Sequence, residues 1–281
     1  MMYHTNQTMH IHSISLSTKD LKRSLFFYRD ILGFTVNHLS FDTVALSTDR
    51  GDTLIELIED QHLKPIGITQ GLYHFAILLP SRKDLALVVQ RLILKRYPIS
   101  GASDHGVSEA IYLNDPDGHG VEIYFDRHPD KWPVEQGRLI MYTHALDIDD
   151  LMKEIDSSIP YLLPSQTIIG HLHFHVPHLE EAKSFFVDLL GFDIIMYYGN
   201  SALFIADGGY HHHIGLNTWH KNAPLNNHDQ IGLVSYQLDI PRKAFESLIE
   251  RLNKANYPVL NQHGVLSIKD PLGHIIYFRK T

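Results

Sequence analysis

The sequence predicts an α+β fold of four βαβββ modules, arranged as two cupped-sheet domains in which modules two and three share one cup. Three observations predict it. The two halves of the chain repeat each other, each half holds two similar βαβββ patterns, and an Asp-Pro-x-Gly turn precedes the last strand of modules two and four. One βαβββ unit leaves an apolar face of its curved sheet open, so two units must pair to bury it.

Modules one and three are recognised by their helices. The stretch TKDLKRSLFFYRDILGF (18–34) matches PHLEEAKSFFVDLLGF (177–192), with Gly33 and Gly191 158 residues apart. Both stretches predict an amphipathic helix that ends at a glycine, and each follows a segment of alternating polarity. Modules one and three are therefore each predicted to begin with a strand that is followed by a helix.

Modules two and four share a different set of signals. GLYHFAILLP opens module two, and GLVSYQLDIP opens module four. A helical pattern, a His-Gly-Val sequence and an Asp-Pro-x-Gly turn follow in both, which indicates a strand, a helix and further strands. The modules are placed near residues 8–60, 71–126, 168–220 and 232–280. The predicted domains are 8–128 and 168–281, joined by a linker (129–167) with one short helix near 147–155.

Composition excludes several classes of function. The chain has 281 residues, of which 44% are hydrophobic and 20% charged, and it contains no cysteine, so disulfides, thiolate metal sites and cysteine nucleophiles are excluded. The formal net charge is −8 and no basic block is present, which argues against a nucleic-acid partner. No signal peptide and no apolar run of about 18 residues is seen, so we expect a cytoplasmic protein without a membrane partner.

Residues that could bind a metal lie in modules two and three. Side chains alternate between the two faces of a strand, so parity decides which of them point into a cup. His74 lies on the first strand of module two, Glu122 on its last strand, and His171 on the first strand of module three. The equivalent positions in modules one and four are not metal ligands: Ser13, Ser235 and Tyr277.

Two imidazoles and one carboxylate from three strands match a facial triad, which suits Fe(II) or Mn(II) and leaves three adjacent coordination positions open. The cup that modules two and three share is therefore predicted to carry the metal. His173 has the same parity as His171 and is the alternative third ligand. The residues do not decide between Fe(II) and Mn(II).

The stretch from His105 to Glu122 carries a more specific pattern. It reads as His105, five residues, Ile111-Tyr112, two residues, an Asp-Pro-Asp-Gly turn, three residues and Glu122. This spacing resembles the signature of the extradiol dioxygenases, and all four modules resemble the vicinal oxygen chelate superfamily. That superfamily also includes glyoxalase I and the fosfomycin and bleomycin resistance proteins. Within it, the chain looks like the two-domain catechol 2,3-dioxygenase-like enzymes.

The resemblance implies a mechanism and roles for several residues. It implies Fe(II)-dependent cleavage of a catechol-type ring by O₂ beside the two hydroxyl groups, with His74, Glu122 and His171 as ligands. Tyr112 and His105 would hydrogen-bond a substrate oxygen. A His-His pair occurs in the family at the start of a strand in this module, and counting along YHHHIGLN (210–217) assigns its acid–base residue to His213.

Other functions remain open at this point. A glyoxalase-like enzyme or a fosfomycin-type thiol transferase would use a similar metal site, and a bleomycin-type protein would bind a flat aromatic molecule without catalysis. A catechol, a substituted catechol and a hydroquinone all fit as the substrate. The sequence also leaves open whether the chain forms a homo-oligomer.

Overall fold

The computed structural model describes residues 3–49, 51–155, 162–226 and 229–281. Within these residues, the order of one strand, one helix and three strands occurs four times. The prediction of an α+β fold built from four βαβββ modules is therefore confirmed. Among the described residues, no helix is both long and apolar enough to span a membrane.

The first half of the chain forms modules one and two. The elements of module one are β1 (His10–Thr18), α1 (Leu21–Leu25, continued by a π-helical segment, Phe26–Leu32), β2 (Thr35–His38), β3 (Thr43–Ser47) and β4 (Thr53–Glu59). Those of module two are β5 (Gly71–Leu79), α2 (Arg82–Leu94), β6 (Gly101–Asp104), β7 (Ser108–Asn114) and β8 (Gly120–Asp126).

The segment after module two contains short elements only. They are a 3₁₀ turn (Pro129–Lys131), β9 (Val134–Glu135), β10 (Arg138–Leu139), β11 (His144–Ala145), α3 (Ile148–Leu151) and a second 3₁₀ turn (Met152–Glu154). The strands β9 and β10 pair with each other, and β11 pairs with β6 of module two.

The second half of the chain forms modules three and four. The elements of module three are β12 (Ile168–His175), α4 (Leu179–Lys183, continued by a π-helical segment, Ser184–Leu190), β13 (Asp193–Tyr198), β14 (Ala202–Ala206) and β15 (Ile214–Asn217). Those of module four are β16 (Leu233–Ile240), α5 (Arg242–Lys254), β17 (Leu260–Gln262), β18 (Val265–Lys269) and β19 (Ile275–Lys280).

The two repeated glycines end their helices as the sequence predicts. Gly33 has φ 91° and Gly191 has φ 98°, a left-handed conformation that suits glycine because it has no Cβ. The next residue in each repeat, Phe34 or Phe192, donates its backbone N–H to a carbonyl six residues earlier. This bond pattern turns the chain sharply into the following strand.

Contacts within the chain define two compact units. The first comprises Met1–Ser17, His62–Tyr73 and Gly170–Thr281, and the second comprises Thr18–Gln61 and His74–Ile169. In the first unit, hydrogen-bonded strands follow the orders β17-β18-β19-β16-β1 and β12-β15-β14-β13, and in the second they follow β4-β3-β2 and β11-β6-β7-β8-β5. The domain boundaries proposed from the sequence stay a prediction.

Candidate active site

His74 and Glu122 lie on neighbouring parallel strands of module two. In the register of β5 and β8, His74 pairs with Gly120 and Ala76 pairs with Glu122. The Nε2 atom of His74 is 3.1 Å from a carboxylate oxygen of Glu122. Both side chains are buried, with 6% and 4% of their residue surface exposed. A buried carboxylate is costly unless positive charge compensates it, so this pair suits a cation.

The Asp-Pro-Asp-Gly turn sets the position of Glu122. The side chain of Asp115 accepts hydrogen bonds from the backbone N–H groups of Asp117 and His119. Gly118 has φ 99°, which lets the chain reverse direction. The two strands that the turn joins then pair so that Tyr112 lies directly opposite Glu122.

His171 supplies the third ligand-type atom. It lies on β12 in module three and only 1% of its surface is exposed. His74, Glu122 and His171 each offer one ligand atom, and these atoms lie within 4.8 Å of one another. Imidazole nitrogen and carboxylate oxygen are donors that Fe(II) and Mn(II) accept, so the donor set fits a divalent ion of this kind. All three residues come from modules two and three.

His173, the alternative to His171, is engaged elsewhere. Its Nε2 atom lies 3.0 Å from the side-chain amide nitrogen of Asn217. An amide nitrogen can only donate, so His173 uses the lone pair of Nε2 to accept this hydrogen bond. The Nε2 lone pair of His173 is therefore used in the hydrogen bond with Asn217 rather than offered to a metal.

Tyr112 and His105 form a hydrogen-bonded pair beside His74. The rings of His74 and Tyr112 have centroids 5.9 Å apart. The Nε2 atom of His105 is 2.7 Å from the hydroxyl oxygen of Tyr112, and its Nδ1 atom is 2.8 Å from the backbone carbonyl of Tyr142. Because a carbonyl only accepts, Nδ1 carries the proton of the neutral ring and Tyr112 donates its hydroxyl hydrogen to Nε2.

His213, the predicted acid–base residue, is fully buried and both of its ring nitrogens contact backbone groups. Nδ1 accepts from the N–H of Asp207 at 3.2 Å, and Nε2 donates to the carbonyl of Tyr3 at 3.2 Å. Burial holds the pKa of His213 well below its usual value, and the nearby His4 and His10 lower it further. The ring is thus a neutral, fixed part of the interior.

His212, which the sequence analysis did not select, lies against the proposed ligand His171. Its ring centroid is 4.1 Å from that of His171. Strand β15 begins only at Ile214, so the alternation used to assign His213 does not apply to residues 211–213. If the first two histidines of the triplet are the family's pair, the same count selects His212 instead of His213.

Two comparisons of sequence place the chain among known proteins. A family model described as the Glyoxalase/Bleomycin resistance protein/Dioxygenase superfamily matches residues 10–123. The chain is also 42% identical over 273 residues to a catechol-2,3-dioxygenase from Bacillus subtilis (strain 168), with 95% of each protein covered.

Solved structures with low sequence identity share the fold. Glyoxalase I from Zea mays has a TM-score of 0.58 at 14% identity, with 96% of this chain and 92% of that chain covered. The cppA protein from Streptococcus pneumoniae TIGR4 has a TM-score of 0.55 at 12% identity, with 98% and 100% covered. The sequence comparisons show that the chain belongs to the glyoxalase/bleomycin resistance protein/dioxygenase superfamily, as a catechol-2,3-dioxygenase-like enzyme.

Proposed function

We propose that this protein is an Fe(II)-dependent extradiol dioxygenase that uses O₂ to open the ring of a catechol-type diol. The observation that carries the proposal is the buried group of two imidazoles and one carboxylate whose ligand atoms lie within 4.8 Å of one another. The 42% identity to a protein named catechol-2,3-dioxygenase supports the same reaction. The triad leaves coordination positions for both oxygens of a diol and for O₂.

His74, Glu122 and His171 are the proposed ligands. When bound, Fe(II) would act as a Lewis acid and template that brings the diol and O₂ together. Two neutral imidazoles and one carboxylate leave about one positive charge on a divalent ion, which favours an anionic diol. The same ligands accept Mn(II), and metal content has to distinguish the two ions.

Tyr112 and His105 are proposed to handle a substrate proton. Tyr112 lies beside His74 and already donates to His105, whose other nitrogen is fixed by the carbonyl of Tyr142. Because the hydrogen of Tyr112 is held by His105, the hydroxyl oxygen of Tyr112 can accept a hydrogen bond from a diol hydroxyl and help to remove its proton. The pair is thus arranged to hold a proton close to the proposed ligands.

For the acid–base role we propose His212 beside His213, the residue that the resemblance selects. The support is that His212 lies against His171 and is only partly buried, whereas both nitrogens of His213 are bonded to backbone groups. An acid–base residue must reach the reacting atoms within hydrogen-bond distance. His213 would have to break two backbone hydrogen bonds to do so.

The test is Glu122→Gln, which keeps the shape of the side chain and removes its charge. After anaerobic reconstitution with Fe(II), we expect the variant to lose stoichiometric iron. Oxygen uptake with catechol should fall by more than about 100-fold, because losing even an outer-shell partner of a metal site costs 10- to 100-fold. The measurements are iron content, oxygen consumption and the yellow ring-opened product.

A matched control is Glu56→Gln, since Glu56 lies on β4 of module one and outside the proposed triad. The control should bind iron and turn over like the natural protein. Stoichiometric iron in Glu122→Gln would overturn the ligand assignment. Iron binding by the natural protein without oxygen uptake on any catechol would favour another metal-dependent enzyme, and an absence of iron would favour a non-catalytic aromatic-binding protein.

A further inference from the structure

The Asp-Pro-Asp-Gly turn of module two is bonded to a side chain of module one. Asp115 uses one carboxylate oxygen, Oδ1, to accept hydrogen bonds from the backbone N–H groups of Asp117 and His119. The other oxygen, Oδ2, accepts from the hydroxyl group of Tyr28 at 2.9 Å, and Tyr28 lies in the π-helical segment of module one. The carboxylate that orders the turn is therefore also bonded to a residue 87 positions earlier in the chain.

Asp117, the third residue of the same turn, makes further contacts with module one. Its side chain is 1% exposed and forms an ion pair with Arg23. It also accepts hydrogen bonds from the hydroxyl groups of Thr18 and Ser24, which are both buried. We call the four residues of module one that hold the turn the clamp: Thr18, Arg23, Ser24 and Tyr28.

The turn that the clamp holds sets the place of two side chains of the candidate site. Tyr112 lies three residues before Asp115 on β7, and Glu122 lies four residues after Gly118 on β8. The two residues lie directly opposite each other in the register of these strands. A shift of the turn would therefore move both the hydroxyl group of Tyr112 and the carboxylate of Glu122.

Modules three and four do not carry the clamp. Modules one and three are 158 residues apart, and the clamp positions fall there on three apolar residues and one acidic residue: Val176, Ala182, Phe186 and Glu181. The two turns are 155 residues apart, from Asp115 to Asp270, so Leu272 takes the position of Asp117. The clamp is thus present where Glu122 follows the turn and missing where Tyr277 does.

The turn of module four forms without a clamp. One carboxylate oxygen of Asp270 accepts from the backbone N–H groups of Leu272 and His274, as that of Asp115 does in module two. Its other oxygen accepts from the hydroxyl group of Tyr236 at 3.3 Å, but Tyr236 lies on β16 of the same module. The turn itself therefore needs neither an ion pair nor a bond to the preceding module.

The physical cost of the clamp indicates a role beyond stability. Burying the carboxylate of Asp117 removes it from water, and apolar residues of similar volume are often equally stabilising in place of a buried ion pair. A position that is Leu272 in one turn and Asp117 in the other shows both solutions in a single chain. What the polar solution adds is a set of directional bonds, which fix position more closely than apolar contact does.

We infer that Tyr28 and Asp117 are positioning residues for the metal site, which through the turn hold Tyr112 and Glu122 in place. The inference rests on the proposed function, because it takes Glu122 as a ligand of the ion. Neither Tyr28 nor Asp117 is itself one of the three proposed ligands. Losing such a partner outside the ligand set typically weakens metal binding by about 10- to 100-fold.

Tyr28 and Tyr236 offer a matched pair of variants. Burial raises the pKa of each hydroxyl well above its usual value, and the neighbouring aspartate, Asp115 or Asp270, raises it further. Both hydroxyls therefore stay protonated and donate at neutral pH. Replacing either tyrosine by Phe removes one buried donor to the aspartate of an Asp-Pro-x-Gly turn, but only the turn of module two leads to a proposed ligand.

The first experiment measures the Kd for Fe(II) anaerobically, by competition with a chelator. Tyr28→Phe should bind Fe(II) about 10-fold more weakly than the natural protein, whereas Tyr236→Phe should stay within twofold. At saturating Fe(II), kcat/KM for catechol should also fall in Tyr28→Phe, because Tyr112 moves with the turn. Equal affinities in all three proteins, or equal losses in the two variants, would overturn the inference.

A second variant gives module two the residues of modules three and four. Thr18→Val, Ser24→Ala and Asp117→Leu together replace the buried polar group by an apolar one. The combined variant should unfold at a urea concentration close to that of the natural protein. It should nevertheless bind Fe(II) at least 10-fold more weakly, whereas a purely structural clamp predicts natural affinity. If this variant does not fold, the comparison of the two tyrosine variants decides.

These readouts separate the inference from the proposed function. Weaker Fe(II) binding in Tyr28→Phe, with no oxygen uptake on catechol by the natural protein, would contradict the dioxygenase and still support the positioning role. Oxygen uptake by the natural protein, with unchanged affinity and kcat/KM in Tyr28→Phe, would support the dioxygenase and overturn the positioning role. A natural protein that does not bind Fe(II) would overturn both.

Discussion

The partners of single ring nitrogens decide which histidine can act in this site. His213 and His212 are adjacent in the sequence, yet His213 is enclosed by backbone groups and His212 lies against His171. His74, Glu122 and His171 each lie inside a regular strand, where alternation predicts the face of a side chain. Alternation gives no such prediction at residues 211–213, because strand β15 begins only at Ile214.

Replacing each of the two histidines by Asn tests this distinction. We expect His212→Asn to keep iron and to lower kcat by about 10²- to 10⁴-fold, the usual contribution of a general acid–base residue. We expect His213→Asn to keep kcat within about threefold. It should lower the free energy of unfolding by about 1–3 kcal/mol, because buried partners lose their hydrogen bonds.

Oxygen uptake, iron content and urea denaturation measure these effects. The assignment of the role to His213 predicts the reverse outcome, in which His213→Asn keeps its metal and loses its rate. A normal rate in His212→Asn would contradict the proposed role of His212.

At the scale of elements, repeated local signals predicted much of the fold. The glycines that end α1 and α4, and the Asp-Pro-x-Gly turns before β8 and β19, depend on local hydrogen bonds that a short sequence specifies. The π-helical segments, Phe26–Leu32 and Ser184–Leu190, were not predicted because their residues keep a helical spacing of apolar side chains. The pairing of β11 with β6 depends on contacts distant in sequence and left no local signal.

The loop between β6 and β7 carries His105 and is fixed by a charged group. Arg127 donates to Asp104 at 3.0 Å and to Glu109 at 2.7 Å, and the backbone N–H of Gly106 donates to Asp104 at 2.8 Å. Burial opposes the charged form of Asp104, but these hydrogen bonds outweigh it and lower the pKa of the carboxyl group. We therefore expect Asp104 to act as a positioning residue for His105.

Asp104→Asn should lower kcat/KM for catechol by about 10-fold while iron content stays unchanged, because the loop loses its ion pair but the ligands do not change. Asp104→Glu, which keeps the charge, should retain most of kcat/KM. Equal kcat/KM in Asp104→Asn, Asp104→Glu and the natural protein would show that the ion pair does not position His105.

At the scale of the whole molecule, the internal duplication allowed the fold to be predicted from the sequence. Four copies of one pattern support each other, so a weak signal in one module is strengthened by its counterparts. The copies also showed which positions differ, because ligand-type residues occur in modules two and three where modules one and four have Ser13, Ser235 and Tyr277.

The histidine content of the chain also affects its stability as a whole. Burial lowers the pKa of His10, and it lowers that of His213 well below the usual value. An unfolded chain binds protons at these groups near pH 6.5, whereas the folded chain does not. The unfolded state therefore takes up more protons as the pH falls, and the free energy of unfolding decreases below about pH 6.5.

Each such group contributes a limiting slope of about 1.4 kcal/mol per pH unit, and this stability is fully present only above its unfolded pKa. Urea denaturation between pH 7.5 and 5.0 should show the decrease. His213→Phe fills the same space with a ring that does not titrate, so its slope should be shallower than that of the natural protein by up to this amount. Contributions from groups that do not interact with His213 are common to both proteins and cancel in the comparison, whereas His4 and His10 interact with it. Parallel curves for the two proteins would mean that His213 is protonated in the folded state, in conflict with its two backbone hydrogen bonds.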